Sequence, residues 1–434
     1  MRQLANEVLA IGDDAQVEET LRALLHSAPG LDITIALLRQ LTQRSDRATR
    51  AVFGAVPAEQ PSSRTEKIRI GYLSDAFSAS FTGRWLHALL RGHDQRKFSV
   101  RAYALKARRD DLTVQCEKAV GPIIATQGWT ASRIADEMRS AGLDILIVAA
   151  DLDDERVASL IQQRPAGIVI DLPSSSDSVA RAADLRLSDP YLELPAATDV
   201  YAAIALTLDR CVYPMLENVV GAKSDLDRAT LGIPQSAVVF AVAGGLETIS
   251  LRGAAMWKAL LDQLPTAHLL FAPEFAGHEA AYQKILATAG IANSRVTMLA
   301  PTNSRNADWS RRYDLADVVL DAIPANDVRA VMAAVAAAIP VITLAGQLPA
   351  ERAGASILDS LGVMDTVVAS GSEYVECAVR LATDPARRSQ LGTRMKSLLP
   401  QSRLADLDGY MRAFEAALCD AVAHVGTAET TVSS

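Results

Sequence analysis

The chain has 434 residues, 50% of them hydrophobic and 22% charged, and its formal net charge at pH 7 is -8. This length predicts two or three domains with sizeable buried cores. Because the charge is spread along the chain and no basic stripe stands out, the composition argues against a nucleic acid or a membrane surface as a partner.

The N-terminal segment, residues 1–52, has apolar residues at helical spacing, which predicts two or three helices. Its first residues, MRQLANEVLAIGDDAQ, lack the basic start and apolar core of a signal peptide, and no run of about 18 apolar residues occurs along the chain. We therefore expect a cytoplasmic protein. Residues 53–66 are rich in Pro, Ser and charged residues and are predicted to form a linker.

Residues 67–215 are predicted to form a doubly wound α/β domain. Short runs rich in β-branched residues alternate here with amphipathic helices such as TASRIADEMRSAGL. This pattern is typical of a parallel sheet that is covered on both faces. The predicted strands are IRIGYL, FSVRAYAL, PIIAT, DILIVAA and AGIVIDL.

Residues 216–424 repeat the same pattern and predict a second such domain. Its predicted strands are AVVFAVAG, HLLFAP, RVTMLA, VVLDA, PVITLAG and TVVA. We expect the long amphipathic helix at its end, SRLADLDGYMRAFEAALCDAVAHV, to pack back across the domain junction. The remaining polar residues, 425–434, are predicted to be a disordered tail.

Two doubly wound domains in tandem place the carboxyl ends of both sheets along one cleft, where such folds bind ligands. The sequence therefore predicts a GT-B fold: two Rossmann-like domains that face a cleft, preceded by a short helical segment. Periplasmic-type binding proteins share the two-lobe plan, but the missing signal peptide argues against that class.

Two loops of the second domain offer groups for an anionic ligand. Gly244 and Gly245, in AVAGGLETIS, follow a strand and would let backbone amides approach a phosphate, although without a GxGxxG pattern a tight turn explains them better. In VVLDAIPANDVRAVMAAVA, Asn326 or Asp327 can cap an Ala-rich helix whose start is suited to an anion, with Arg329 in its first turn. An ionised Asp327 facing the ligand would instead repel phosphate.

Trp309, Arg311 and Arg312 form an aromatic and basic cluster that is suited to base stacking and phosphate contact, although a solvated helix face explains it almost as well. The acidic stretch DLDDE, residues 151–155, follows a strand and would hold a cation or a sugar hydroxyl, but capping of the next helix explains it better. The six histidines and four cysteines show no metal-ligand spacing, so the sequence predicts no metal site.

Several stretches resemble the catalytic region of the O-linked N-acetylglucosamine transferases, GT-B enzymes that move GlcNAc from UDP-GlcNAc to protein Ser or Thr. The similarity runs from Ile68 to about Leu418. It is carried by RIGYLSDAF, FSVRAYAL, QQRPAGI, LRLSDPYLELP, LADVVLDAIPAN and IPVITLAGQLPAERAGASILDSLG. The resemblance implies a nucleotide-sugar donor, an acceptor protein and no cofactor. The N-terminal helices stand where that family carries tetratricopeptide repeats, but they are too short for an array.

The chain departs from the family at its active-site motifs. The family's His-Pro pair in the first loop falls at Ser80 and Phe81, so the histidine is missing, and its donor-phosphate lysine falls near Thr248. Its NGHTT motif is replaced by NDVRA, which keeps only Asn326, and its ribose aspartate falls at Ala333. The histidine beside the uracil falls at Trp309. Elements that are kept include Arg311, Arg312, Gly346 and Arg352.

Two functional interpretations follow. In the first, the chain transfers an activated sugar to a protein with altered donor use. Its donor-binding candidates are Trp309, Arg311, Arg312, Asn326, Arg329, Arg352, Gly244 and Gly245, and its catalytic candidates are Ser80 and Asp75 or the DLDDE loop. In the second, the chain has lost catalysis and binds a protein or a nucleotide sugar as a partner or regulator. The N-terminal helices would recruit an acceptor, cap the first lobe or form an oligomer contact.

Overall fold

The computed structural model describes residues 36–44, 67–152, 154–173, 183–194, 200, 203–216, 226–273, 275–301 and 313–428. At residue 247 and at residues 424–428 only the backbone is described. Within this part of the chain, each pair of neighbouring strands is parallel. The α/β class that the sequence predicts is therefore confirmed. Of the predicted N-terminal helical segment, residues 36–44 are helical (α1), and the linker 53–66 lies outside the described residues.

The first sheet has seven strands in the order β3-β2-β1-β4-β5-β6-β7. They are β1 Ile68–Ser74, β2 Phe98–Ala104, β3 Ile124–Ala125, β4 Ile145–Ala149, β5 Ile168–Asp171, β6 Leu185–Ser188 and β7 Ile204–Thr207. The helices between them are α2 Phe81–Gly92, α3 Asp111–Val120, α4 Ala131–Ser140 and α5 Glu155–Gln162. All residues of β4 are buried, as expected for a strand with helices on both faces.

The second sheet has six strands in the order β10-β9-β8-β11-β12-β13. They are β8 Val238–Val242, β9 Ala267–Phe271, β10 Val296–Met298, β11 Val318–Leu320, β12 Val341–Leu344 and β13 Val367–Val368. The helices are α6 Leu251–Gln263, α7 His278–Thr288, α8 Val328–Ala336, α9 Ala353–Leu361, α10 Gly371–Thr383, α11 Pro385–Leu398 and α12 Leu407–Ala428.

Each sheet has a point where the strand order reverses. In the first sheet β1 lies between β2 and β4, and in the second β8 lies between β9 and β11. Ligands of doubly wound sheets bind outside the carboxyl ends of the strands at such points. The relevant loops are therefore those that follow β1, β4, β8 and β11.

The described residues divide into two compact units, one of which runs to Val212 and includes the residues from Asp408 onward, while the other spans Tyr213–Leu407. Helix α12, which the sequence analysis assigns to the second lobe, thus belongs to the first unit by its contacts. Tyr410 accepts a hydrogen bond from Trp85 Nε1 at 3.2 Å and donates one to the Val212 carbonyl at 2.9 Å. These bonds join α12 to α2 and to Val212, where the long N-terminal part of the first unit ends.

Every strand that the sequence predicts is present, whereas β6 and β7 were missed. Helix α12 also continues to Ala428, so residues 425–428 are helical and the predicted start of the tail at residue 425 is wrong. A sequence pattern locates the end of a helix only to within a few residues. Residues 429–434 lie outside the described part. Among the described helices, none has the length and apolar character needed to cross a lipid bilayer.

Candidate functional site

Three loops meet at the carboxyl edge of the second sheet, and we call this region the loop edge: residues 243–250 after β8, 321–327 after β11 together with 328–330 in the first turn of α8, and 345–352 after β12. Ser250 Oγ donates a hydrogen bond to the Ile323 carbonyl at 2.5 Å, which joins the first loop to the second. The Asn326 N–H donates to the Ala350 carbonyl at 2.8 Å, which joins the second loop to the third. The loop edge includes the reversal point between β8 and β11.

Asp321 lies at the centre of the loop edge and is fully buried. Its Oδ1 accepts hydrogen bonds from the N–H groups of Ala322 at 2.8 Å and Asp327 at 3.2 Å, and its Oδ2 accepts one from Thr343 Oγ1 at 2.7 Å. Burial raises the pKa of this carboxyl group to about 7, although the hydrogen bonds favour its ionised form. Asp321 is thus a titratable group that connects β11, its loop and β12.

Asn326, a predicted donor-binding residue, uses its side chain inside the protein. Its Oδ1 accepts a hydrogen bond from the Gly354 N–H at 3.0 Å, in the first turn of α9. Its Nδ2 donates to the Ala322 carbonyl at 3.3 Å. Asn326 therefore holds the start of α9 against the loop after β11, a positioning role that sequence reasoning did not anticipate.

Asp327 and Arg329 form a pair at the start of α8. Asp327 is the N-cap of this helix, because its Oδ1 accepts the Ala330 N–H at 3.1 Å. Its Oδ2 accepts a hydrogen bond from Arg329 Nη2 at 3.0 Å, with side chains that are 3% and 28% exposed respectively. The predicted cap is confirmed at Asp327. This carboxylate already satisfies part of the helix dipole, so an anion at the start of α8 would meet a negative charge.

Gly244 and Gly245 form the tight turn that the sequence favours. Gly244 has a φ of +96°, and a Cβ added there would lie 2.1 Å from Thr248 Oγ1. Only glycine suits such a position without strain. Thr248, near which the resemblance places the family's lysine, donates its hydroxyl to the Gly245 carbonyl at 2.9 Å. The Thr248 hydroxyl is therefore hydrogen-bonded to the backbone of its own turn.

Arg352 lies at the junction between the loop after β12 and helix α9. Its Nη1 donates to the Gly346 carbonyl at 2.9 Å, so the two residues kept from the family pattern contact each other. Glu351 Oε2 accepts the N–H groups of Gln347 at 2.7 Å and Leu348 at 3.0 Å. Contacts among its own residues therefore fix the shape of this loop.

In the first unit, the loop after β1 contains both catalytic candidates. Ser80 is the N-cap of α2, where its Oγ accepts the Gly83 N–H at 2.9 Å. Asp75 accepts a hydrogen bond from Lys106 Nζ at 2.6 Å, and both side chains of this pair are exposed. The structure thus gives Ser80 a capping role and Asp75 an ion pair of the kind that contributes little stability.

The remaining candidates divide into one that is described and three that are not. In the DLDDE stretch, Asp154 caps α5 by accepting the N–H groups of Arg156 and Val157, which confirms the capping interpretation. Trp309, Arg311 and Arg312 lie outside the described residues. Of the predicted donor-binding residues, the loop edge therefore brings together Gly244, Gly245, Asn326, Arg329 and Arg352.

Sequence reasoning missed Asp321 and its partner Thr343. A signal for them does exist in the strand register, because Leu320 pairs with Ile342 and these two residues come next. An Asp at the carboxyl end of an apolar strand, level with a Thr on the neighbouring strand, predicts a buried hydrogen bond. The register itself, however, is known only once the sheet order is known.

Residues 217–414 match the model for glycosyl transferase family 41. A probable UDP-N-acetylglucosamine–peptide N-acetylglucosaminyltransferase SPINDLY from Hordeum vulgare is 24% identical over 370 residues, which cover 83% of this chain and 38% of the relative. A UDP-N-acetylglucosamine–peptide N-acetylglucosaminyltransferase from Caenorhabditis elegans is 29% identical over 189 residues, or 43% of this chain and 16% of that one. The chain thus spans less than two fifths of the length of these curated relatives.

Among solved structures, an O-GlcNAc transferase from Thermobaculum terrenum matches with a TM-score of 0.76 and 21% identity, over 93% of this chain and 76% of that one. A protein from Anabaena, HepE in complex with UDP and glucose, matches with a TM-score of 0.51 and 13% identity, over 81% and 99% of the two chains. At these identities the likeness establishes the fold. The chain therefore has a GT-B fold, and its residues 217–414 match the model of glycosyl transferase family 41.

Proposed function

We propose that this protein is a glycosyltransferase that moves a sugar from a nucleotide-sugar donor to a hydroxyl group of an acceptor protein. The observation that carries the proposal is the family 41 match over residues 217–414, which contain the whole loop edge. The curated relatives, named as transferases that act on peptides, support a protein as the acceptor. They do not favour the non-catalytic alternative.

The donor binds at the loop edge in this proposal. Arg329 and Arg352 are the cations there, and a guanidinium suits the planar, multiply charged oxygens of a diphosphate. Asp327 holds Arg329 Nη2 in place at 3.0 Å, so the cation is preorganised, at the cost of a neighbouring negative charge. This arrangement replaces the lysine and histidine of the related transferases and fits an altered preference for the donor.

In the reaction, the acceptor oxygen forms a bond to the anomeric carbon of the sugar while the bond from that carbon to the diphosphate breaks. The nucleoside diphosphate leaves with the electron pair, and the acceptor proton passes to a base or to water. The base candidates are Asp75 in the loop after β1, whose carboxylate accepts a hydrogen bond from Lys106 Nζ at 2.6 Å, and the DLDDE loop after β4. The transfer requires no cofactor besides the donor substrate, and we place it in the cytoplasm.

Binding and turnover are tested separately on the full chain. A thermal-shift screen against UDP-GlcNAc and other UDP-, GDP- and CMP-sugars identifies the donor, because a ligand at 100 times its Kd adds about 2.7 kcal/mol to the unfolding free energy. Donor hydrolysis is then measured, together with the intact masses of co-expressed proteins. A bound donor with sugar added to a protein supports the proposal. Binding without hydrolysis or transfer would establish the non-catalytic alternative, and no binding of any nucleotide sugar would refute a role for these donors.

A further inference from the structure

The loop that carries Asn326 and Asp327 is closed on a single carboxylate oxygen. Asp321 Oδ1 accepts hydrogen bonds from the N–H groups of Ala322 at 2.8 Å and Asp327 at 3.2 Å, which stand at the two ends of the segment 322–327. A loop whose two ends bind one buried atom has little freedom to change shape. The position of Asp327, and with it the start of α8, therefore depends on Asp321.

The other oxygen of Asp321 connects the loop to the rest of the second sheet. Oδ2 accepts the hydrogen bond from Thr343 Oγ1 on β12 at 2.7 Å. A Cβ added to Gly354, the second residue of α9, would lie 2.4 Å from both of these oxygens, so this position has no room for a side chain. Tyr374 of α10 donates its hydroxyl to the Asp321 carbonyl at 3.1 Å.

We propose that Asp321 is a positioning residue for donor binding, which sets the relative placement of Asp327, Arg329 and the Asn326-bound start of α9. The inference rests on the proposed function, since it assigns the loop edge to the donor. Asp321 is fully buried, so it acts through these neighbours and does not touch the ligand.

Two substitutions of Asp321 distinguish a role of its hydrogen bonds from a role of its volume in the core. Removing it leaves two buried N–H groups and one hydroxyl without an acceptor, and the loop has to rearrange to bring them to water. An asparagine keeps one oxygen for the two N–H groups, while its amide donates to Thr343 Oγ1, which is able to accept. Asp321→Asn should therefore restore what Asp321→Ala loses.

The experiment measures the Kd for UDP-GlcNAc in the wild type and in Asp321→Ala, Asp321→Asn and Thr343→Val, together with amide hydrogen exchange of residues 322–330. Loss of a buried hydrogen-bond acceptor predicts a Kd that is at least about tenfold higher in Asp321→Ala, and within about threefold of wild type in Asp321→Asn. Thr343→Val, which keeps both backbone contacts, should show a smaller increase and remains informative if Asp321→Ala does not fold. At saturating donor, kcat should stay within about twofold of wild type in the variants, because the chemistry is not changed.

Asp317→Asn is the matched control. Asp317 precedes β11 at its opposite end, and its Oδ2 also accepts a backbone N–H, from Val239 at 2.8 Å. This variant should lose stability with unchanged donor affinity and unchanged exchange in residues 322–330.

The inference is overturned if Asp321→Ala binds the donor as tightly as the wild type, or if its exchange in residues 322–330 is no faster than in Asp317→Asn. Absence of donor binding in the wild type is a different result, because it removes the proposed function. The exchange comparison then still decides whether Asp321 fixes the loop.

Discussion

Glu415 Oε1 on α12 lies 3.2 Å from His93 Nδ1 at the end of α2 and accepts the Asp94 N–H at 2.7 Å. His93 Nε2 in turn lies 2.7 Å from the hydroxyl of Tyr72 on β1. This chain of polar contacts connects α12 to β1, an interior strand of the first sheet, through groups that are largely buried. Such networks contribute stability only while each member has its partner.

The protonation state of Glu415 should set part of the acid stability. Burial raises its pKa, but the hydrogen bonds from His93 and from the Asp94 N–H outweigh that effect and hold the pKa below its ordinary value. Its contribution is therefore complete above pH ~4.3 and is lost as the pH falls through the lower folded-state pKa. Urea unfolding as a function of pH should show this loss in the wild type and a flatter acid limb in Glu415→Gln. Equal acid limbs in the two proteins would contradict the prediction.

Asp321 should produce the opposite dependence nearer to neutral pH. Its pKa is raised to about 7 by burial, and the neighbouring Asp327 charge adds to this effect. Between pH ~3.9 and the folded-state pKa, the folded protein keeps a proton that the unfolded chain has released, so the free energy of unfolding falls as the pH rises through this range. Above the folded-state pKa the slope vanishes. Asp321→Asn should remove this slope, and Asp317→Asn should keep it; a slope that persists in Asp321→Asn would assign the titration to another group.

The strands that sequence reasoning found and those it missed differ in how burial is achieved. β4, ILIVA, is buried through apolar side chains alone, and such a run can be recognised without knowing its neighbours. β6, LRLS, contains Arg186, whose charge can be buried because Glu193 accepts hydrogen bonds from its Nη1 and Nη2 at 2.6 and 2.7 Å. β7 lies at the sheet edge, and its Ile204 is 69% exposed. Neither strand therefore shows an apolar pattern of its own.

In the candidate site, too, sequence reasoning found the local feature and missed the contacts between residues that are far apart in the chain. The cap at Asp327 was predictable, because an Asp before an Ala-rich run is a local signal. The role of Asn326 was not, since its partner Gly354 lies 28 residues further along the chain. Asp321 was missed for the same reason: its contact with Thr343 spans 22 residues and depends on the strand register.

Arg329→Ala should weaken donor binding by about ten- to a hundredfold, the usual cost of one charged hydrogen bond. The physical reason is the loss of a cation that Asp327 holds at the loop edge, which also leaves the Asp327 charge without its counterion. Arg394→Ala is the control, because Arg394 on α11 also forms an ion pair, with Asp365 at 2.8 Å, although this pair is more exposed and lies away from the loop edge. Titration calorimetry with UDP-GlcNAc measures both variants. Equal affinities in Arg329→Ala and the wild type would remove Arg329 from the donor site.

Ser80 offers a direct comparison between a structural and a catalytic role. Its Oγ accepts the Gly83 N–H at 2.9 Å at the start of α2, so Ser80→Ala should lower the free energy of unfolding by about 1 kcal/mol. Ser80→Asp keeps a capping acceptor and should retain most of that stability, while it removes the hydroxyl.

Transfer rates measured below the unfolding range then separate the two roles. If Ser80 only caps the helix, both variants should keep a rate within about threefold of the wild type, since no group in contact with the substrate is lost. A catalytic hydroxyl would instead make the rate fall by about a hundredfold or more in both variants, including the stable Ser80→Asp protein. The structure favours the first outcome, because the Ser80 oxygen is already committed to the N-terminus of α2.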